Sequence, residues 1–212
     1  MDSWMLPLAV FRATTVLLSD WPSEQVDALF FHGRSHGDDD GLFEIAAEFY
    51  RHGTRIVLNG SDGERRGGIT PGEAWPGKAP WTERLKALGV TDIVYSEPAF
   101  DSKQENEAFL DLAMNRGWKS GAILTQPHQA VRAFLGMVKS MADHGYWMRV
   151  YAVSPKSTLW WKPVYGSQGA AEILRFGHIE EEFNRIRPYQ QKGDLACFAI
   201  LFDYLQRRSE IR

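Results

Sequence analysis

The stretch Asp27-Ala-Leu-Phe-Phe-His32, followed by Gly33, indicates how the chain folds. Its four central residues are all apolar, without the alternation of polar and apolar residues that marks a strand with one face in water. A short apolar run that ends at a glycine is typical of a strand covered on both faces. The stretch therefore predicts a buried strand in a parallel sheet.

Similar runs recur along the chain, and stretches with helical spacing separate them. The predicted strands cover residues 27–32, 55–59, 92–96, 121–125 and 147–153. The predicted helices cover residues 42–52, 81–88, 102–116 and 128–144, and a glycine follows each of them. Because strand–helix–strand connections are right-handed, this order predicts an α/β fold, a Rossmann-like, doubly wound, mainly parallel five-stranded sheet with helices on both faces.

The length and composition fit one folded unit around that sheet. A chain of 212 residues, 44% of them hydrophobic, buries about 70% of its unfolded surface on folding. We expect residues 1–25 to pack on the core, residues 26–153 to form the Rossmann-like core, and residues 154–212 to form a C-terminal helical extension of the same domain. Helices are predicted within that extension over residues 170–187 and 194–208.

Composition and charge argue against several classes of protein. The single cysteine, Cys197, excludes an intrachain disulfide and a zinc site of several cysteines. A formal net charge of −3 argues against a general nucleic-acid binder. No apolar run reaches the ~18–20 residues of a membrane span, so a cytoplasmic location is expected.

Ligands of parallel sheets bind beyond the carboxyl ends of the strands, which makes the loops after each predicted strand the candidate site. No G-x-G-x-x-G follows the first strand and no G-K-[ST] occurs, which argues against standard dinucleotide and P-loop sites. The residues predicted to bind a ligand are Gly33, Arg34, Asn59, Gly60, Ser61, Asn106, Thr125, Gln126 and Arg132.

Glu105, the first predicted catalytic residue, lies in the first turn of the helix over residues 102–116. Ser102-x-x-Glu105 fits a capping box, in which the two side chains satisfy each other's backbone donors. A carboxylate in a first turn is also able to face a ligand. The capping role and the ligand-facing role both stay open.

His128, the second predicted catalytic residue, belongs to the run Thr125-x-x-His128-x-x-x-Arg132. His128 and Arg132 are four residues apart and share a helix face. A helix N-terminus disfavours the imidazolium, which would keep His128 neutral near pH 7 as a general base, and Arg132 would clamp a carboxylate or phosphate. The alternative is a Thr125 N-cap, a surface His128 and an Arg132 paired with a neighbouring helix.

Two further features have competing interpretations. Asp38-Asp39-Asp40 offers carboxylates to a metal, but acidic residues before Leu42 also favour the dipole of the helix that starts there. We prefer the helix interpretation and predict no metal site. Four tryptophans in or beside loops either form an aromatic wall for a ring or pack under a lid; they are Trp75, Trp81, Trp160 and Trp161.

The order of these motifs over residues 26–153 resembles the YdcF-like family, which includes the SanA and ElyC proteins. The most specific elements are the pair Glu105-Asn106 and the run Thr125-x-x-His128-x-x-x-Arg132-Ala133. Lys103 stands where the family usually has threonine. The long loop over residues 59–80, with Arg65-Arg66 and Gly67-Gly68, suggests a lid or a changed specificity.

The resemblance implies a Rossmann-type protein associated in part with S-adenosylmethionine binding and in part with the cell envelope. It implies a pocket formed by Gly33, Asn59, Gly60, Glu105, Asn106, Thr125, His128 and Arg132. The first hypothesis is a cytoplasmic enzyme acting on S-adenosylmethionine or a related adenosine-type metabolite. In it, Glu105 and Asn106 fix the ligand, and His128 is the acid or base. Arg132 holds the ligand's carboxylate, and the acidic loop at residues 38–40 neighbours the sulfonium.

Two alternatives belong to other classes. One is a phosphoester or pyrophosphate-linked hydrolase on envelope or sugar-phosphate intermediates, with a divalent metal as a cofactor. In it, His128 is the general acid and an anion clamp is formed by Arg34, Arg65, Arg66 and Arg132. The other is a non-catalytic ligand-sensing or interaction module that meets a partner through Trp160-Trp161.

Overall fold

The computed structural model describes residues 5–35, 37–63, 75–166 and 172–211. At its centre is a five-stranded sheet. The strands are β1 (Ala28–Phe31), β2 (Arg55–Leu58), β3 (Ile93–Tyr95), β4 (Ser120–Leu124) and β5 (Arg149–Val153). They lie in the order β3-β2-β1-β4-β5, and every neighbouring pair is parallel. The predicted Rossmann-like, doubly wound α/β sheet is confirmed.

Helices cover this sheet, and the four predicted between its strands are all present. The helices are α1 (Met5–Leu17), α2 (Leu42–Arg51), α3 (Lys78–Ala87), α4 (Ser102–Arg116), α5 (Ala130–His144), α6 (His178–Gln191) and α7 (Phe198–Arg207). The helix predicted over residues 128–144 begins as a 3₁₀ turn at Pro127–Gln129. None of the described helices is both long enough and apolar enough to cross a membrane.

The apolar run of β1 packs on both faces of the sheet. Phe30 stacks on Phe109 of α4 at 5.0 Å between ring centroids, within the core that α1, α5 and α7 also join. Phe31 points to the other face and meets Phe43 at 5.0 Å and Trp81 at 4.3 Å. Successive strand side chains point to opposite faces, so a run without polar residues requires helices on both sides. Trp81 is thus a core residue and does not line a ligand wall.

The prediction of one helix over residues 170–187 is wrong. Within this range, β7 (Glu172–Leu174) pairs antiparallel with β6 (Pro163–Tyr165), a 3₁₀ turn follows at Arg175–Gly177, and only then does α6 begin. A three-residue strand carries almost no periodicity of its own. Its partner in the preceding connection is what defines it.

The N-terminal segment forms a helix that the sequence pattern did not predict. Pro7 is the third residue of α1, where the amide it lacks has no acceptor inside the helix. Ala13 and Leu17 of this helix are buried in the same core as Leu201 and Tyr204 of α7. Both α1 and α7 therefore pack on the face of the sheet that α5 covers.

Gly60, two residues after the end of β2, allows a close approach of two backbones. A Cβ built there would lie 2.1 Å from the carbonyl oxygen of Ser96. Gly60→Ala is expected to lower the free energy of unfolding by about 1–3 kcal/mol, because backbone must move to admit the methyl group. Urea unfolding measures this loss. Gly177→Ala is the matched control, since its Cβ would meet the end of the Ile173 side chain at 2.9 Å, and that end is able to turn away. Equal losses in the two variants would contradict the close approach.

Candidate functional site

The order of the strands places the switch point of the sheet at the carboxyl ends of β1 and β4. The loops that leave these two strands bury many polar side chains. These are His32, Arg34, Ser35, Asp38, Asp39, Thr125, Gln126 and Gln129. Buried polar groups need hydrogen-bond partners, and the partners found here divide the predicted site into two clusters.

The Glu105 cluster consists of His32, Gly33, Asn59, Glu105 and Asn106. The Glu105 carboxylate lies 3.1 Å from His32 Nδ1 and accepts hydrogen bonds from the Gly33 amide at 2.9 Å and Asn59 Nδ2 at 3.3 Å. His32 Nε2 lies 3.1 Å from Asn106 Oδ1, so both ring nitrogens are occupied. These contacts join the start of α4 to the loops after β1 and β2. Four predicted site residues meet here, together with His32, which was not predicted.

The start of α4 explains why Glu105 is free for this role. Asp101 is the N-cap, and its Oδ1 accepts a hydrogen bond from the Gln104 amide at 2.9 Å. The capping-box interpretation of Ser102 and Glu105 is wrong, because the cap lies one residue earlier. Glu105 is consequently not engaged in capping and turns into the molecule, where it is buried.

Position 33 has little room for a side chain, because the Glu105 side chain and a tryptophan pack over it. A Cβ at this position would lie 2.8 Å from Glu105 Oε1 and 3.3 Å from Trp75 Cγ. The backbone amide of Gly33 donates to that same carboxylate oxygen. The residue type at position 33 therefore follows from the cluster itself.

The Asp38 cluster consists of Arg34, Asp38, His128, Gln129 and Arg175. Asp38 is 0% exposed and pairs with Arg34 on one oxygen and with Arg175 Nε at 2.7 Å on the other. Arg34 also donates to Gln129 Oε1. Burial alone would raise the pKa of Asp38, but the charge of Arg34 and the contact with His128 outweigh it and hold the pKa well below its usual range. Asp38 is thus a permanent buried anion.

His128 faces that anion with one ring nitrogen only. Its side chain is 1% exposed, and Nε2 lies 3.5 Å from Asp38 Oδ2. Its Nδ1 is buried and has no hydrogen-bond partner among the described residues. Burial lowers the pKa of His128 below its ordinary value, and the Asp38 carboxylate opposes this shift without cancelling it. The lowered pKa agrees with the expectation of a neutral imidazole, although burial is its main cause.

Each carboxylate of the acidic triplet belongs to an ion pair. Beside the pairs of Asp38, Asp39 pairs with Arg84, and Asp40 lies 2.9 Å from Lys162 Nζ and 2.7 Å from an Arg175 nitrogen. The acidic residue in the first turn of α2 is Glu44, which comes after the triplet. No group of three potential metal-ligating side chains occurs among the described residues. The three carboxylates are therefore taken up by ion pairs, and their interaction with the helix dipole stays a prediction.

Arg132, predicted to clamp a ligand, is paired with a carboxylate of α6. Nε and one terminal nitrogen contact the two oxygens of Glu182, and both residues are buried. Burial would lower the pKa of Arg132, but the Glu182 charge outweighs it and raises the pKa. Another nitrogen of Arg132 donates to Ser102 Oγ at 3.4 Å. The alternative interpretation of Arg132, in which it pairs with a neighbouring helix, is therefore confirmed.

The remaining predicted residues also lie at this edge of the sheet. Thr125 Oγ1 donates to Gln129 Oε1 at 3.2 Å, and Gln126 Nε2 donates to the Asp40 carbonyl at 3.0 Å. Gln129, not Thr125, is at the N-cap of α5, so the Thr125 N-cap is wrong. Near β2, the Ser61 amide donates to Asn59 Oδ1 at 3.0 Å, and the Gly60 carbonyl accepts from Lys78 Nζ at 2.9 Å.

The loop tryptophans have different surroundings. Trp160 lies beside His128, with 6.5 Å between ring centroids. Trp75 packs edge-on against Trp81 at 5.6 Å. Trp161 is 73% exposed and stacks on Phe176 at the surface. The four tryptophans therefore form no single wall. Arg65-Arg66 and Gly67-Gly68, predicted as clamp and lid, lie outside the described residues.

Two residues that complete the clusters were absent from the prediction. His32 had a usable signal, because it is the polar residue that ends the apolar run of β1. Arg175 had none, since it lies 137 positions from Asp38 along the chain. Its role depends on the β6–β7 hairpin and the turn that follows.

No family model and no curated protein matches this chain. The resemblance to the YdcF-like family therefore stays a prediction, and the function has to be argued from the two clusters.

Proposed function

We propose that the chain is an enzyme that hydrolyses a small-molecule ester by general acid–base catalysis at His128, oriented by Asp38. The observation that carries the proposal is the pairing of a buried, permanently charged carboxylate with a buried histidine whose other ring nitrogen has no hydrogen-bond partner in the part of the chain that the structure describes. The two side chains lie at the switch point of a doubly wound sheet, which is where a reacting group is expected.

The roles of the two ring nitrogens follow from the charge of Asp38. A carboxylate beside Nε2 favours the tautomer that carries its proton there, which leaves the lone pair on Nδ1. Because burial lowers the pKa of His128, the neutral ring predominates at pH 7 and Nδ1 accepts a proton. Arg34 and Arg175 keep Asp38 ionised and in place.

The proposed step balances with water as the second reactant. Nδ1 takes a proton from water while the water oxygen bonds to the acyl or phosphoryl centre. The same proton then passes to the ester oxygen as its bond to that centre breaks, giving an alcohol and an acid. Histidine in this role contributes about 10²–10⁴-fold to a rate.

S-adenosylmethionine fits the described charges poorly. Arg132, expected to hold its carboxylate, is paired with Glu182. The carboxylates expected to face its sulfonium are paired with arginines and a lysine. The resemblance alone supports this ligand, and no catalytic step is derived through it. Among phosphoesters, the same pairing removes Arg34 and Arg132 from an anion clamp, so an uncharged ester is the first substrate to test.

The test is a turnover screen of the full chain. Nitrophenyl esters of carboxylic acids, phosphate and phosphodiesters are followed by nitrophenolate release, and S-adenosylmethionine is followed by mass spectrometry. We expect release from at least one ester by the wild type and not by His128→Phe. Equal release by the two proteins would overturn the proposal. Consumption of S-adenosylmethionine with no ester turnover would favour the first hypothesis, and binding without any product would favour the sensing module.

A further inference from the structure

A cavity of about 210 Å³ lies between α1, the start of α5 and α6. Val10 of α1 and Leu18, the residue after this helix, line one side, and Ile179 and Ile186 of α6 line the other. Leu18 is 43% exposed and Ile179 is 41% exposed, so the cavity opens to solvent between the two helices. Two of the predicted site residues, His128 and Arg132, also line the cavity, whereas no residue of the Glu105 cluster does.

The polar groups that line the cavity differ in what they still offer to a ligand. Arg132 and Glu182 line it but are paired with each other. His128 lines it as well, with Nε2 directed at Asp38 and with no partner for the buried Nδ1 among the described residues. A buried polar atom without a partner costs stability, and a ligand that supplies a donor removes this cost.

The size of the cavity limits the ligand. A dry apolar cavity of about 150 Å³ accepts a molecule the size of benzene, whereas pockets for drug-sized ligands measure about 300–1,000 Å³. A cavity of about 210 Å³ suits a single ring or a branched alkyl group. A charged ligand is disfavoured, because the charges that line the cavity are already neutralised and a buried unpaired charge is costly.

We propose that this cavity binds a compact apolar group that carries one hydroxyl, such as a phenol or a small branched alcohol. The hydroxyl donates to Nδ1 of His128, and the apolar body lies between α1 and α6. The inference rests on the proposed function in one respect: such an alcohol is the product released when His128 protonates the ester oxygen. Its binding is nonetheless measured without any turnover.

The test is an NMR titration of the full chain with phenol and with toluene, which have nearly the same shape. We expect wild type to bind phenol at least as tightly as toluene, because the hydrogen bond offsets the loss of the hydroxyl's hydration. His128→Phe keeps a ring at this position and removes Nδ1. It is expected to weaken phenol binding by about ten-fold and to leave toluene binding within about two-fold.

A second pair of variants locates the binding. Thr14 lines the cavity, whereas Val16, two residues along α1, is exposed and does not. Thr14→Trp is expected to abolish binding of both probes, and Val16→Trp is expected to leave both unchanged. The inference is overturned if neither probe shifts the wild-type spectrum at millimolar concentration, if His128→Phe weakens both probes equally, or if the two tryptophan variants behave alike. Ester turnover without phenol binding would overturn this inference and leave the proposed function standing.

Discussion

Replacing His128 with phenylalanine is expected to lower kcat for ester hydrolysis by about 10²–10⁴-fold. The substitution keeps an aromatic ring beside Trp160 and removes both nitrogens. Asp38 keeps its two arginine partners, so the variant is expected to fold. Initial rates at saturating substrate measure the effect, with a circular dichroism spectrum to show that the fold is intact.

The pH dependence distinguishes catalysis from a structural role. General-base catalysis needs neutral His128, and burial lowers the pKa of this group. The rate is therefore expected to stay on its plateau below pH 6.5, the ordinary pKa of histidine, and to fall only at lower pH. Asp38 and Glu182 raise the pKa of His128, and Arg34 lowers it. In Asp38→Asn one of the raising charges is lost, so the acid limb moves to still lower pH while kcat falls.

His144→Phe is the matched control for His128→Phe. His144 belongs to the last turn of the helix that follows His128, and it is exposed. Its substitution is expected to leave kcat and the pH profile unchanged. A His144→Phe variant as impaired as His128→Phe, or a His128→Phe variant with wild-type kcat, would exclude His128 as the general base.

Asp38→Ala is expected to lower the free energy of unfolding by about 3–5 kcal/mol. The substitution removes the carboxylate that faces Arg34 and Arg175, whose side chains are only 4% and 0% exposed. A buried guanidinium that loses its anion keeps its desolvation cost and gives up the attraction that offset it. Urea unfolding at pH 7, followed by tryptophan fluorescence, measures the loss.

Asp39→Ala is the control, because its partner Arg84 is 50% exposed and a pair open to solvent contributes about 0–1 kcal/mol. A loss in Asp38→Ala no larger than that in Asp39→Ala would contradict the buried network.

The pH dependence of stability has a defined sign. The pKa of Asp38 is lowered in the folded protein, so its contribution is fully present above the ordinary carboxyl pKa of about 4 and is lost as the pH falls below it. The difference between wild type and Asp38→Ala should therefore shrink between pH 5 and pH 3. A difference that grows over this range would contradict the assignment of Asp38 as a permanent anion.

The sheet was predictable because its signals are local. Residues 28–31 and 121–124 are runs of strand length without a polar side chain. Gly117 and Gly145 follow α4 and α5 in the left-handed conformation that stops a helix. The parallel order then follows from the handedness of the connections. By contrast, β7 and α1 were missed, because a strand of three residues and a helix with Pro7 in its first turn carry weak periodicity.

The location of the candidate residues at one edge of the sheet was predictable, but their pairing was not. Glu105, Asn106 and His128 lie at the expected edge of the sheet, yet Glu105 meets His32 and His128 meets Asp38, in separate clusters. Arg132 is occupied by Glu182, which is 50 positions away along the chain. Spacing in sequence shows which residues share a helix face, but it does not show which residue of another element faces them.

By itself, the sequence determined the class of fold and the strand-end loops as the place where polar side chains gather. Only the tertiary structure decided which charges are free. It joined Arg175 to Asp38 and Arg132 to Glu182, and it left Nδ1 of His128 without a partner among the described residues. The physical reason is one of range. Hydrophobic periodicity is expressed within one turn or strand, whereas buried ion pairs form between segments that approach each other only after the core has packed.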